Sequence, residues 1–169
     1  IAFVSKKCNV IHSLTLKNLE SLNDKHIHFL MKHFHENKNM LSKIDFCGCP
    51  LLGDAVCKFV ILACDSIISI KLACTSITDD GLNMICSSCY QLEHLNLYGC
   101  SDITIDGIST SIIHLIESNH LFRSLNLRGT KVQTFDESKQ LKNAFQKYNV
   151  RVLLGPLKED NAAFCFKRK

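Results

Sequence analysis

Leu92-Glu93-His94-Leu95-Asn96-Leu97-Tyr98-Gly99-Cys100 is the stretch on which the reading of this chain turns. Its apolar residues follow the pattern L-x-x-L-x-L. Alternation through Leu95-Asn96-Leu97 puts two leucines on one face of a short strand and Asn96 on the other. Gly99 permits a tight turn out of the sheet. Cys100 is small enough to be buried in that corner and can hydrogen-bond the loop backbone.

Working outward, the same pattern recurs on both sides. It is Ile11-x-x-Leu14-x-Leu16, Leu41-x-x-Ile44-x-Phe46 and Ile67-x-x-Ile70-x-Leu72 before it, and Phe122-x-x-Leu125-x-Leu127 after it. The middle position advances by 30, 26, 25 and 30 residues. Val150-x-Val152-x-Leu154 reads as a sixth, degenerate strand. Each strand leads into a corner (Cys47-Gly48-Cys49, Gly99-Cys100, Gly129-Thr130) and then into residues at helical spacing, such as Leu82, Ile85 and Cys86, or Ile108, Ile112, Leu115 and Ile116. Thr78-Asp79 and Thr104 stand where helix N-caps belong. A period of this length with one strand and one helix per unit predicts an α/β leucine-rich-repeat solenoid, a horseshoe of about five to six repeats. Parallel strands would line its concave face and helices its convex face. The whole chain, 1–169, reads as one such domain, with regular repeats over about 8–135 and a degenerate strand and cap over about 136–169. Within that last stretch, Phe164 and Phe166 are expected to fold over the final unit.

The stretches Ile77-Thr78-Asp79-Asp80-Gly81-Leu82 and 89–100 resemble the cysteine-containing leucine-rich repeat of F-box/LRR proteins and of the related antagonists of the mitotic exit network. The likeness is strongest in units two to four and departs at Ile105, where the family pattern favours Asp. It implies a protein–protein interaction module, in first place the substrate-recognition region of an F-box-type ubiquitin ligase. An F-box preceding residue 1 would then dock on the ligase adaptor. The alternative is a stand-alone adaptor or scaffold without an F-box. The chain does not begin with Met and has only seven residues before the repeat pattern, so it reads as a fragment, a processed product or an incomplete gene product.

Composition excludes several classes. Net charge is +4 with a pI near 8.5, short of a domain that wraps nucleic acid. Lys6-Lys7 and Lys167-Arg168-Lys169 are short enough to be solvated termini. The most continuous apolar run, Phe59 to Cys64, is six residues, against about 20 for a membrane span. Neither nucleic acid nor membrane is an expected partner.

Ten cysteines fit either a disulfide scaffold or a chain using Cys as a small core residue. The register separates these readings. Cys8, Cys64 and Cys89 lie three residues before the first apolar strand position, and Cys49 and Cys100 lie three after the last. Corner cysteines need no disulfides, which favours a reducing compartment, cytoplasmic or nuclear. Cys86-x-x-Cys89 and Cys47-x-Cys49 lack the paired spacing of a structural zinc site. His26, His28, His33 and His35 contain no i, i+4 pair and read as a polar helix face, with Ile27, Leu30, Met31 and Phe34 inward. No phosphate-binding glycine loop, nucleophile elbow or marked reactive cysteine is present. The chain is therefore expected to be a non-enzyme without a cofactor or metal.

Candidate partner contacts are the residues flanking the strand apolar positions, whose side chains alternate away from the core. They are Lys43, Asp45, Lys71, His94, Asn96, Tyr98, Asn126 and Arg128, together with Ser13, Thr15, Lys17, Cys47, Ser69, Ala73 and Ser124. Tyr98 and Arg128 stand out because Tyr and Arg are enriched at binding hot spots.

Overall fold

A computed structural model describes residues 11–36, 40–62, 64–132 and 139–155, and the side chains of 31–36 and 139–142 lie outside it. The expected roles of Cys8, Met31, His33, Phe34, His35 and the cap at 156–169 fall outside the described residues. Strands and helices alternate: β1 Ser13–Thr15, α1 Asp24–Glu36, β2 Lys43–Asp45, α2 Ala55–Ile61, β3 Ser69–Lys71, α3 Asp79–Ser88, β4 His94–Asn96, α4 Ile105–Ser118, β5 Ser124–Asn126, α5 Lys139–Lys147 and β6 Arg151–Leu153. The strands form one six-stranded sheet in chain order. Every pairing is parallel. Each helix packs on the next along the chain.

Register follows the apolar pattern. Leu14, Ile44, Ile70, Leu95, Leu125 and Val152 stand side by side as one row across the sheet. The first five are buried, as are Phe46, Leu72, Leu97 and Leu127 one step along each strand. Burying each such side chain is worth about 1.5–3 kcal/mol, so these rows and the facing helix residues supply the core. No helix among the described residues is long and apolar enough to cross a membrane.

The corners explain the cysteines. Cys49 Sγ donates to the Leu16 carbonyl at 3.2 Å and Cys100 Sγ to the Leu72 carbonyl at 3.1 Å. Thr75 and Thr130 hold the same place in units three and five, donating to the Leu72 and Leu127 carbonyls, each at 2.7 Å. One residue earlier the backbone is left-handed in each of the first five units: Asn18, Gly48, Cys74, Gly99 and Gly129 have φ between 56° and 74°. The turn thus demands a conformation, and glycine is only its cheapest supplier; Asn18 and Cys74 adopt it at a cost of about 1–2 kcal/mol. Cys74 is also disulfide-bonded, whereas the register reading expected no disulfide. The physical reason is its position. Cys74 occupies the turn one residue before the corner, outside the register positions, and the described cysteines at register positions, Cys49, Cys64, Cys89 and Cys100, are free.

Carboxylates tie the helix ends together. Asp24 accepts from the Gly53 N–H at 3.2 Å. Asp54 accepts from the Thr78 N–H at 2.9 Å and hydroxyl at 2.6 Å, and Asp79 does the same for Thr104 at 2.9 and 2.6 Å. Each threonine oxygen also caps its own helix, Thr78 accepting from the Asp80 N–H and Thr104 from the Gly107 N–H. Ile105 takes the place where a further Asp would extend this ladder.

Candidate functional site

One face of the sheet is covered by the helices through the buried row, and the other is open. Three rows of side chains lie on the open side. The first is Ser13, Lys43, Ser69, His94, Ser124 and Arg151, and the second is Thr15, Asp45, Lys71, Asn96, Asn126 and Leu153. These two rows line a hollow of about 680 Å³ that spans all six strands. The third row, just past the strand ends, includes Lys17, Cys47, Ala73, Tyr98 and Arg128. A smaller hollow of about 270 Å³ lies there between Asn18, Cys47, Cys74, Asn96, Tyr98 and Asn126.

The predicted contact residues are brought together on this face, but not all are free to meet a partner. Lys43, Lys71 and His94 are exposed. Asp45 is not: it is 7% exposed and held by Lys17 Nζ at 2.9 Å and Lys71 Nζ at 3.8 Å, from the strands on either side. Burial pushes its carboxyl up, yet the Lys17 ammonium and the Cys47 N–H outweigh that and hold it below its ordinary value. The same pair raises Lys17, chiefly through its hydrogen bond to Asp45.

Asn96 and Asn126 are also half-committed. Their Oδ1 atoms accept from the Tyr98 N–H at 3.0 Å and the Arg128 N–H at 3.2 Å, as Asp45 Oδ1 does from the Cys47 N–H at 3.3 Å. Local side-chain acceptors of this kind close the strand ends. Tyr98, singled out as a hot spot from sequence, is 9% exposed. Its hydroxyl is buried with no hydrogen bond among the described residues. Arg128 is half-buried, with Nε 3.4 Å from the Leu154 carbonyl. His94 Nδ1 lies 2.8 Å from Ser124 Oγ, a contact between neighbouring strands.

Sequence reasoning missed Arg151 and Leu153. Both line the large hollow, and the signal was available: the sixth strand was recognised, but its flanking positions were not carried into the site.

The described free thiols are not arranged for nucleophilic chemistry. Burial pushes Cys47 and Cys89 up to about 12 and also raises Cys49, Cys57, Cys64, Cys86 and Cys100. These groups remain thiols at neutral pH, opposite to the depressed values of reactive cysteines. Among the described residues no three His, Cys, Asp or Glu side chains converge as a metal site.

No protein-family model matches this chain, and no curated protein does. A solved structure of leiomodin-1 actin-binding site 2 is similar, with a TM-score of 0.66 over 87% of this chain and 86% of that one at 14% identity. At that identity the likeness concerns the fold.

Proposed function

We propose that this chain is a leucine-rich-repeat solenoid whose open sheet face binds a protein partner, as the substrate-recognition part of an F-box-type ubiquitin ligase. One observation carries the binding role. Six strands in strict register present two rows of mainly polar side chains over a single continuous hollow. Apart from Asp45 and Ser69, which are buried, these side chains are not part of the core beneath them. A wide surface of this kind suits an extended protein segment better than a compact small molecule, which favours enclosed apolar pockets. Thiols raised by burial support a non-enzymatic role, and seven free cysteines against one bonded among the described residues support a reducing setting, cytoplasmic or nuclear.

The ligase assignment rests on the resemblance of residues 77–82 and 89–100 to F-box-associated repeats. The similar solved structure, an actin-binding site of leiomodin-1, is an example of this architecture serving a protein partner. The test is partner capture from cell lysate by the full chain, its Lys71→Glu variant on the open face and its Lys58→Glu variant on α2, where Lys58 is exposed on the helical side. A partner retained by Lys58→Glu and lost by Lys71→Glu supports the face. A partner lost by neither, or by both equally, rules it out. Co-purification of a ligase adaptor with the full gene product separates the ligase from a stand-alone adaptor.

A further inference from the structure

The charge on the open face is one-sided. Across the three rows stand Lys17, Lys43, Lys71, Arg128 and Arg151, against the single carboxylate of Asp45. Asp45 is already engaged by Lys17 and Lys71. Glu93, beside the face, is engaged by Arg123 at 3.1 Å. Lys43 and Arg151 are exposed and have no acidic partner among the described residues. Both belong to the first row, where they are separated only by Ser69, His94 and Ser124.

We infer that the partner of this face is an extended acidic protein segment, laid across the strands, with two carboxylates six residues apart that pair with Lys43 and Arg151. The inference rests on the protein-binding reading above and names the chemistry of the partner. Spacing sets the register. Lys43 on β2 and Arg151 on β6 are four strands apart, which at 4.7–4.9 Å per strand is roughly 19 Å. An extended chain advances about 3.3–3.4 Å per residue, so six residues cover roughly 20 Å and return the side chain to the same face. Between the two cations the His94 ring and the Ser124 hydroxyl, which lie 2.8 Å apart, can meet backbone amides and carbonyls, while Ser69 is buried. Apart from Leu153 the two rows of the hollow offer no large apolar side chain reaching outward, so the segment is polar throughout. A nucleic acid is the less suited polyanion: single strands need aromatic platforms for their bases, and the tyrosine of this surface, Tyr98, is buried.

The experiment titrates the full chain with four fluorescent probes at low salt. Three are 12-residue Ser/Thr peptides carrying two Glu six apart, two Glu one apart, or two Gln six apart; the fourth is oligo-dT. The six-apart Glu peptide is expected to bind about tenfold more tightly than the Gln peptide, as two partly exposed ion pairs would allow. It should also bind more tightly than the adjacent-Glu peptide and weaken as salt rises. The double variant Lys43→Glu/Arg151→Glu should abolish the preference, and a peptide with Lys in place of Glu should bind that variant instead. Both positions are exposed, and an unchanged melting curve of the variant excludes misfolding. No binding, equal binding of Glu and Gln peptides, or oligo-dT competing through the same two cations overturns the inference. If a captured cellular partner depends on Lys71 but binds through a segment without acids, only this inference fails. If no partner depends on the face, the protein-binding reading fails as well.

Discussion

At the scale of single residues, Asp45 shows how position changes meaning. Its place beside Ile44 marked it as an outward-facing contact, and it does face the open side. What the pattern could not reveal is that the neighbouring strands aim Lys17 and Lys71 at it, because those contacts join residues distant in sequence. The consequence is a pH dependence of definite sign. Folding holds the Asp45 carboxyl below its ordinary value of 3.8. Its contribution to stability is therefore complete above that value and disappears as pH falls through the lower folded value. Asp45→Asn keeps the shape and the acceptor for the Cys47 N–H but removes the charge. In urea unfolding the variant should be less stable than the parent at about pH 6, and the gap should narrow as pH falls below the ordinary carboxylate range and through the lowered folded value. A gap that is constant with pH would show that the ion pairs do not stabilise the fold. Tyr98 teaches the same lesson in apolar form. Its chemistry was legible and its burial was not, since burial depends on what the strand ends and corners enclose.

At the scale of elements, much more could be read in advance. The L-x-x-L-x-L pattern located each of the first five strands, because period-two alternation beside a buried row leaves one possible register. Thr78 and Thr104 as helix caps were equally legible. The link between successive helices was not. Asp79 opens α3 yet spends its carboxylate on Thr104, which caps α4. Gly107, in the first turn of α4, is packed so closely on Asp79 that a methyl group there would collide with its carboxylate. Two substitutions should therefore be costly alone and coupled together. Asp79→Ala removes two hydrogen bonds to a charged group and should cost about 2–3 kcal/mol. Gly107→Ala should cost about 1–3 kcal/mol through overpacking. In the double variant the added methyl has room where the carboxylate was, so the combined cost should fall short of the sum by about 1 kcal/mol or more. Chemical denaturation of the four proteins measures this, and additive costs would mean that methyl and carboxylate do not compete for the same space.

At the scale of the molecule, stability is set by what joins one strand–helix unit to the next, since each helix packs chiefly on its sequence neighbours. The joints are unequal. Helices α3 and α4 share the most extensive contact and α4 with α5 the least. The carboxylate ladder runs from Asp24 through Asp54 to Asp79, and among the described residues it is not continued at Ile105. The last strand is also thinly covered: Val152 is only half-buried, while Ile70 and Leu95 in the same row are buried. Each difference lowers the free energy needed to open the C-terminal unit without disturbing the rest, the condition for sub-global unfolding. Native-state hydrogen exchange should accordingly find amides of α5 and β6 exchanging through an opening of lower free energy than those of β3, α3 and β4. Arg151 would be released with them, so the cation at one end of the open face would come and go while Lys43 stayed fixed. A partner bridging the two should raise protection in β6 more than in β3. Equal protection across all six strands without a partner would show instead that the apolar row alone makes the sheet one cooperative unit.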